Sequence, residues 1–512
     1  MQDIPPGLIE RLESRGRGQS TRRMMLFAAL GGMVAASGQA PLNLWPLALV
    51  GFGVLFALFR MTSGWRRAAW IGWAAGAGYF LPALSWIVEP FLVDIARHGW
   101  MAPFAILFMA GGLALFWALA FGVARALGGR ALAWIVALAG AELLRSYIFT
   151  GFPWALVGHV LIASPFLQVA AFAGPAGLSL LALAMAVSLW RIFTPDRWKT
   201  LPVIALFAAV FAWGQHETGR PLPAGDTPLV RLVQPNAPQH EKWDPRKAPV
   251  FFNRQLSFTA APNGARPDLI VWPETAVPVW LNQAEDALAA VADAAGGVSV
   301  VLGIQRYDDM RIFNSAVRID ADGQVGALYD KHHLVPFGEY MPLGDVLAQW
   351  GIHGLASSEG RGYSPGPGAR LMDLPGIGHA LPLICYEAVF PQDVAAAPAR
   401  PRLLLQITND AWFGRVSGPY QHLAQARLRA VEQGLPMVRV ANTGVSAMIG
   451  PRGVVTAQVP LGQAGFVDAA LPVALPPTPY ARTGDAPLAV LIVVVLAGLG
   501  LSAAMSRRTK LH

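Results

Sequence analysis

The sequence predicts a multi-pass α-helical membrane bundle of eight spans carrying a layered α/β domain outside the cytoplasm. Three observations predict it. Hydrophobic residues make up 54% of the 512-residue chain and charged residues 14%, where soluble domains carry about 25% charged residues. The apolar residues are concentrated in runs over roughly the first 215 positions, separated by short basic loops. From about residue 221 to 478 the composition turns to that of a soluble domain, and one more apolar run follows before the basic tail Arg507, Arg508, Lys510. The domain organisation expected is a cytoplasmic segment at 1–23, seven transmembrane helices over 24–215, an exported domain over 216–480, an eighth helix at 486–505 and a cytoplasmic tail at 506–512.

Residues 1–23 are polar and basic, with Arg11, Arg15, Arg17, Arg22 and Arg23. The apolar run at 24–40 could serve as a signal peptide, with small residues at Ala36-Ser37-Gly38, but a second run follows almost at once, so it reads as an uncleaved helix. The remaining spans are expected at 41–59, 68–88, 100–123, 131–149, 161–190, 201–213 and 487–505. Most approach the about 20 residues needed to cross about 30 Å of hydrocarbon. With eight spans, the basic clusters at the N-terminus, 60–67, 125–130, 191–199 and 507–510 all fall on one side, and the opposite loops carry little positive charge. The positive-inside rule then puts both termini in the cytoplasm and the domain between spans seven and eight outside it, on the periplasmic side of a bacterial inner membrane.

The net charge of +8 is accounted for by this topology signal and does not indicate nucleic-acid binding. One cysteine excludes zinc-finger spacing, and no glycine-rich phosphate loop is evident. Within the fifth span Glu142 and Arg145 are three apart, close enough to pair on one helix face. Charge at that depth pairs or lines a polar cavity. A structural ion pair is the favoured reading here, and a substrate contact the alternative. Thr150-Gly151-Phe152-Pro153-Trp154 reads as a rigid interfacial loop.

In the exported domain, β-like runs are expected at 229–233, 269–272, 298–304, 315–319, 325–329, 381–384, 403–407, 437–440 and 447–449, with Asp322-Gly323 marking a hairpin. Helices are expected at 248–260, 282–295 and 421–433. This alternation predicts sheets covered by helices. Glu274, Lys331 and Cys385 each follow a strand, and sites form at such edges.

Cys385 is the only cysteine in the chain. By residue type alone it reads as a buried, inert thiol, since free cysteine is among the most buried residues. In an oxidising compartment, however, an accessible lone thiol needs a use. A nucleophile needs a base or a lowered pKa. His332, His333 and His422 lack a Cys/His motif context, so the stronger partners are Glu274 and Lys331. None of these histidines lies in an HExxH-type pattern. No metal and no cofactor are assigned.

Glu274 in VWPET (271–275), Lys331 in YDKHHLVPFGEYMP (329–342) and Cys385 in LICYE (383–387) lie 57 and 54 positions apart, with TNDAWFG (408–414) downstream. In this order and context they resemble the Glu-Lys-Cys triad of the nitrilase superfamily. The flanking spans, TGFPW at 150–154 and VQPNAPQHEKWDP at 233–245, are similar to its membrane-embedded branch, the apolipoprotein N-acyltransferases. The resemblance covers essentially the whole chain and departs nowhere at the triad. It implies an α-β-β-α sandwich and ping-pong acyl transfer through a thioester on Cys385. Glu274 would be the general base and Lys331 would face the oxyanion. The donor would be a phospholipid, phosphatidylethanolamine by family preference, and the acceptor the α-amino group of a diacylated apolipoprotein. It further implies that Glu339 supports the triad and that Tyr386 and Glu387 shape the oxyanion hole or orient Lys331. Trp243 would be a lid or lipid contact, and Asn409 and Trp412 would form the site wall. For each of these a solvated or packed loop residue is the plainer alternative. A hydrolytic amidase on a membrane anchor and a transporter with a cargo-binding domain are the competing functions.

Overall fold

The computed structural model describes residues 18–194, 197–342 and 362–508. Arg11, Arg15 and Arg17 and the tail beyond 508 lie outside the described residues. The chain divides into two compact units. One takes in the chain up to Val88, Met101–Arg220 and the chain from Arg482 on; the other comprises Glu89–Trp100 and Pro221–Ala481.

In the first unit a helix stands at each of the eight expected positions: α1 (Thr21–Ala36), α2 (Trp45–Arg60), α3 (Trp65–Ala83), α4 (Ala102–Ala126), α5 (Ala131–Arg145), α6 (Ala170–Arg191), α7 (Arg197–Gly219) and α11 (Ala486–Arg508). Their lengths depart from expectation. α1 and α2 have 16 residues each and α5 has 15, which at about 1.5 Å per residue is about 24 Å, short of a full crossing. By length and apolar character three helices qualify as spans among the described residues, Ile95–Ala126, Pro165–Arg191 and Ala486–Ser506, and four if the pair Trp65–Ala83 and Ser85–Leu92, bent by 64°, is one span. The apolar run at 161–190 is not one regular helix: Pro165–Val169 is a 3-10 turn, and Ala170–Arg191 is itself kinked at the Gly174-Pro175 step, where Gly174 has φ 58°. Glycines replace bulk where helices touch. A Cβ on Gly78 of α3 would lie 2.6 Å from the Ala29 Cα of α1, so the two backbones meet directly.

The fifth-span charges are buried at 1% exposure each and join a fixed network. Arg145 Nη2 donates to Glu142 Oε2 at 3.1 Å, Trp117 Nε1 to Oε1 at 2.9 Å and the Val157 amide to Oε2 at 2.9 Å. Arg145 Nη1 also donates to the carbonyls of Phe152 and Trp154 at 2.6 and 2.9 Å. The pair therefore staples the segment after α5 into the bundle.

The second unit holds two six-stranded sheets. The first runs β12-β1-β2-β3-β4-β5 and the second β11-β10-β9-β8-β7-β6. The strands are β1 (Leu229–Gln234), β2 (Leu269–Val271), β3 (Val300–Asp308), β4 (Arg311–Ile319), β5 (Val325–Asp330), β6 (Met372–Leu374), β7 (Gly378–Ile384), β8 (Leu403–Thr408), β9 (Met437–Ala441), β10 (Ser446–Ile449), β11 (Val455–Val459) and β12 (Gly465–Ala470). β1, β2 and β3 are parallel, as are β7, β8 and β9. Their runs are buried and apolar, as parallel strands covered on both faces must be. α8 (Ala248–Ala260) and α9 (Glu285–Ala295) pack Phe252, Leu256, Leu288 and Val291 on the first sheet. α10 (Gly418–Gln433) packs Ala426 and Ala430 on the second. Between the sheets, Ser446 of β10 donates its amide and hydroxyl to Gln234 Oε1 of β1. The layering is α-β-β-α, as the resemblance implies.

Three strands go beyond the nine expected: β6, β11 and β12. β6 has three residues, and β11 and β12 are edge strands with half-exposed faces, so none carries a strong apolar run. β4 begins four residues before the expected 315, because it pairs with β3 along its full length.

Candidate active site

Glu274 follows β2 through Trp272-Pro273, and the chain turns sharply there, with Thr275 at φ 47°. The turn fits only because β3 carries no side chain opposite it. A Cβ on Gly303 would lie 2.6 Å from Glu274 Cα and 2.5 Å from the Thr275 nitrogen. Lys331 follows β5 directly, and Cys385 opens a short 3-10 turn after β7. Cys385 has φ 51°, a left-handed conformation that costs a non-glycine residue about 1–3 kcal/mol. The strain presents the thiol at the strand end.

The structure brings the three together in one buried cluster, with exposures of 6% for Glu274, 1% for Lys331 and 5% for Cys385. Lys331 Nζ stands 3.8 Å from Glu274 Oε1 and 2.8 Å from Glu339 Oε2, and donates to Glu339 Oε1 at 2.8 Å. Burial would pull the Lys331 ammonium down, but Glu339, Glu274 and Cys385 around it push its pKa well above the ordinary lysine value, so it stays charged. Burial raises the Glu274 carboxyl, with Lys331 opposing and Glu339 adding to the rise. Burial, with Glu274 beside it, also pushes the Cys385 thiol far up, against Lys331. Cys385 at rest is therefore a neutral thiol, whose proton leaves only as a base takes it.

Glu274 is held at both oxygens. Asn314 Nδ2 donates to Oε1 at 2.6 Å and the Asn409 amide to Oε2 at 2.6 Å. Asn409 thus acts through its backbone, while its side chain donates to Gln239 Oε1 and accepts from Asn442 Nδ2. Asn314 also reaches Glu339 Oε1 at 3.3 Å. It sits in the middle of β4 with no motif around it, and sequence reasoning missed it. Glu339 turns back onto its own loop, accepting from the Val335 amide at 2.8 Å.

Glu387 is fully buried and ties the loops of Lys331 and Cys385 together. Its Oε2 accepts from the Ile384 amide at 2.7 Å, capping the turn that carries Cys385. Its Oε1 accepts from the His332 amide at 2.8 Å, the His333 amide at 3.3 Å and the Tyr329 hydroxyl at 2.8 Å, so the residues beside Lys331 hang on the same carboxylate. His332 lies between Glu387 and Asp393; burial works against its charge, but the two carboxylates carry its pKa up to about 10. Tyr386 is packed edge-on against Phe390 and His333 at 4.8 and 5.7 Å between ring centres.

Trp243 is 42% exposed, while its neighbour Lys242 is buried. Lys242 donates to Thr275 Oγ1 at 2.6 Å and to the Glu274 carbonyl at 3.1 Å, and burial lowers its pKa to about 8. The Trp243 loop is thereby pinned to the turn carrying Glu274, beside an open cleft that both residues line with Phe251, Gln255 and Asn442. Sequence reasoning missed Lys242; the pairing of a lone lysine with Trp243 in that motif was the available signal. Trp412 is half-buried on the short turn Asp410–Phe413. His422, which lacks a motif context in the sequence, lies against Cys385 with Nε2 3.1 Å from its carbonyl oxygen.

Comparison with known proteins supplies the family. The carbon-nitrogen hydrolase family model matches residues 157–475, and that of the apolipoprotein N-acyltransferase N-terminal domain matches residues 31–188. An apolipoprotein N-acyltransferase of Sinorhizobium fredii is 40% identical over 87% of this chain and 90% of its own length, and one of Rhodopseudomonas palustris is 38% identical over 92% and 94%. One of Caulobacter vibrioides is 37% identical over 91% and 92%. Among solved structures, an amidase from Nesterenkonia sp. aligns with 22% identity over 52% of this chain and 97% of that chain, at a TM-score of 0.37. With both halves matched and near-full-length relatives at this identity, the chain belongs to the apolipoprotein N-acyltransferase family, within the carbon-nitrogen hydrolases.

Proposed function

We propose that this chain transfers an acyl group from a membrane phospholipid to the α-amino group of the N-terminal diacylglyceryl-cysteine of apolipoproteins, in two half-reactions through a thioester on Cys385. The observation that carries the reading is the buried cluster of Glu274, Lys331 and Cys385 in a chain whose relatives bear that name over nearly their whole length.

In the first half-reaction Glu274 takes the thiol proton as sulfur attacks the ester carbonyl. The oxyanion that develops faces the Lys331 ammonium, which Glu339 keeps charged and aimed. The tetrahedral species collapses, the glycerol oxygen leaves with the proton held by Glu274, and a lysophospholipid departs. In the second half-reaction the α-amine attacks the thioester, Glu274 takes the amine proton, and the thiol is restored as the amide forms. Glu387 and Asn314 are positioning residues, the first for the Cys385 turn and the Lys331 loop, the second for Glu274. Trp243 is a lid or lipid contact, Asn409 and Trp412 form the site wall, and Tyr386 shapes the oxyanion hole or orients Lys331.

Phosphatidylethanolamine is the proposed donor. We place the chain in a bacterial inner membrane with eight spans, both termini cytoplasmic and the 216–480 domain periplasmic; the run of basic loops supports this orientation. Both substrates are lipid-anchored, which gives the apolar helices a purpose beyond attachment. Incubation of the full-length enzyme with phospholipid and a diacylated lipopeptide, followed by mass measurement, tests the reading. Triacylated peptide and lysophospholipid are expected. Release of free acid with no gain of mass on the peptide would point to hydrolysis instead.

A further inference from the structure

The motif at 408–414 holds more chemistry than the site described above uses. Thr408 closes β8, which runs parallel to β7 with Ile407 opposite Ile384. The next residues on the two strands are Thr408 and Cys385, so the hydroxyl and the thiol sit at the same sheet edge. Thr408 is fully buried. Its Oγ1 donates to Asp410 Oδ1 at 2.8 Å, and its side chain lies where its hydrogen bonding lowers the Cys385 thiol pKa against the rise from burial. A hydroxyl has one proton and two lone pairs. In the resting site that proton is committed to Asp410.

Asp410 does not depend on that proton. Arg439 Nη2 donates to its Oδ2 at 2.5 Å and His422 Nδ1 lies 2.9 Å from its Oδ1. The His422 tautomer is fixed by its neighbours. Arg439 Nη1 donates to Gln406 Oε1 at 2.6 Å, which turns the Gln406 amino group toward His422 Nε2 at 2.9 Å and the Cys385 carbonyl at 3.2 Å. An amide nitrogen only donates, so His422 Nε2 accepts from Gln406, its 3.1 Å approach to the Cys385 carbonyl is then not a hydrogen bond, and the ring proton resides on Nδ1, facing the Asp410 carboxylate. Burial and Arg439 keep His422 neutral, and despite burial Arg439 and His422 hold the Asp410 carboxyl at about 2. Asp410 thus keeps two permanent donors and can release the third.

We propose that Thr408 is a further catalytic residue: as Cys385 gives up its proton, the Thr408 hydroxyl turns from Asp410 and donates its hydrogen bond to the thiolate, returning when the carbon–sulfur bond has formed. No covalent bond of Thr408 changes. The proton leaving sulfur goes to Glu274 and from there to the departing glycerol oxygen. Without the hydroxyl, the permanent negative charge of Asp410 would face the nascent thiolate uncovered. The inference rests on Cys385 being the nucleophile.

Thr408→Val removes the hydroxyl at nearly constant shape, and Thr408→Ser retains it. Two readouts apply to the full-length enzyme: the rate of thioester formation on Cys385 from phosphatidylethanolamine, and the pH dependence of Cys385 alkylation by iodoacetamide. The valine variant should acylate about 10- to 100-fold more slowly, the range of one lost hydrogen bond to a charged group, with KM unchanged. Its alkylation midpoint should move to higher pH, and the serine variant should stay close to wild type in both. Should the valine variant not fold, Thr408→Ala carries the same expectations. Wild-type rates and an unmoved midpoint in the valine or alanine variant would overturn the role of Thr408, as would a serine variant as slow as valine. Absence of any thioester on wild-type Cys385 would overturn the nucleophile assignment itself, and this inference with it.

Discussion

The chain buries two groups of charged residues and uses them in opposite ways. Glu142 accepts from an indole, a guanidinium and a backbone amide, while Arg145 donates to two carbonyls across the loop it holds. Each charge there is matched by partners fixed in place. At the triad the balance is left uneven. Two carboxylates, Glu274 and Glu339, crowd one ammonium, the Glu274 carboxyl is raised, and the thiol is held in a strained conformation. A buried charge whose partners satisfy it holds structure together; one kept at odds with its surroundings is available for proton transfer. Burial by itself does not distinguish them.

The largest expected effect is at Cys385. Cys385→Ala should reduce transfer to background and abolish thioester formation, while circular dichroism and Tm remain near wild type, because one small side chain is lost. Next, paired substitutions separate the two charge groups. Glu274→Gln should lower kcat about 10²- to 10⁴-fold without loss of stability. A carboxyl raised in the folded state binds its proton more tightly there, so stability falls as pH climbs from 4.5 toward the raised value; denaturant melts of the glutamine variant should lack that decline. Glu142→Gln should do the reverse, costing about 3–5 kcal/mol of stability by leaving Arg145 unpaired, with kcat per folded molecule unchanged. If Glu142→Gln lowered kcat at full stability, the contrast between the two groups would fail.

A smaller effect concerns pH. Glu274 must be ionised to accept a proton, so kcat/KM should rise with pH through a midpoint above 4.5, and this limb should be absent from the residual activity of the glutamine variant. The smallest effect is at the loop clasp. His332 is raised to about 10 by Asp393 and Glu387 against the pull of burial. Its contribution is complete below pH 6.5 and is lost as pH rises through about 10. His332→Gln should therefore lower Tm by about 2–4 °C at pH 7, as expected for about 1 kcal/mol, and the difference should vanish near pH 10.

Much of the candidate site was legible because each triad residue follows a strand within its own short motif. Glu274, Lys331 and Cys385 could be located one at a time, and Glu339 and Glu387 lie in the same motifs. The residues that support them were not legible, for they come from distant strands. Asn314 reaches Glu274 from the middle of β4, and Arg439, Gln406 and His422 meet under Cys385 from β9, β8 and α10. Nothing local distinguishes a glutamine in a buried strand from one that orients a histidine. Helix positions in the bundle followed from apolar runs, but helix ends did not: the run at 161–190 is apolar throughout, yet Pro165 and the Gly174-Pro175 step break its geometry. Edge strands β11 and β12 were missed because half-exposed strands carry no continuous apolar run. β12 pairs with β1 across more than two hundred residues, a separation that no window on the sequence spans.

The most direct measurement is the intact mass of the full-length enzyme after exposure to phosphatidylethanolamine without acceptor. The account predicts a gain of one acyl group, mapped by proteolysis to Cys385, cleaved by neutral hydroxylamine as a thioester is, and discharged by added diacylated lipopeptide. An acyl group on a serine or on Lys331, or none on Cys385 while transfer proceeds, would contradict it.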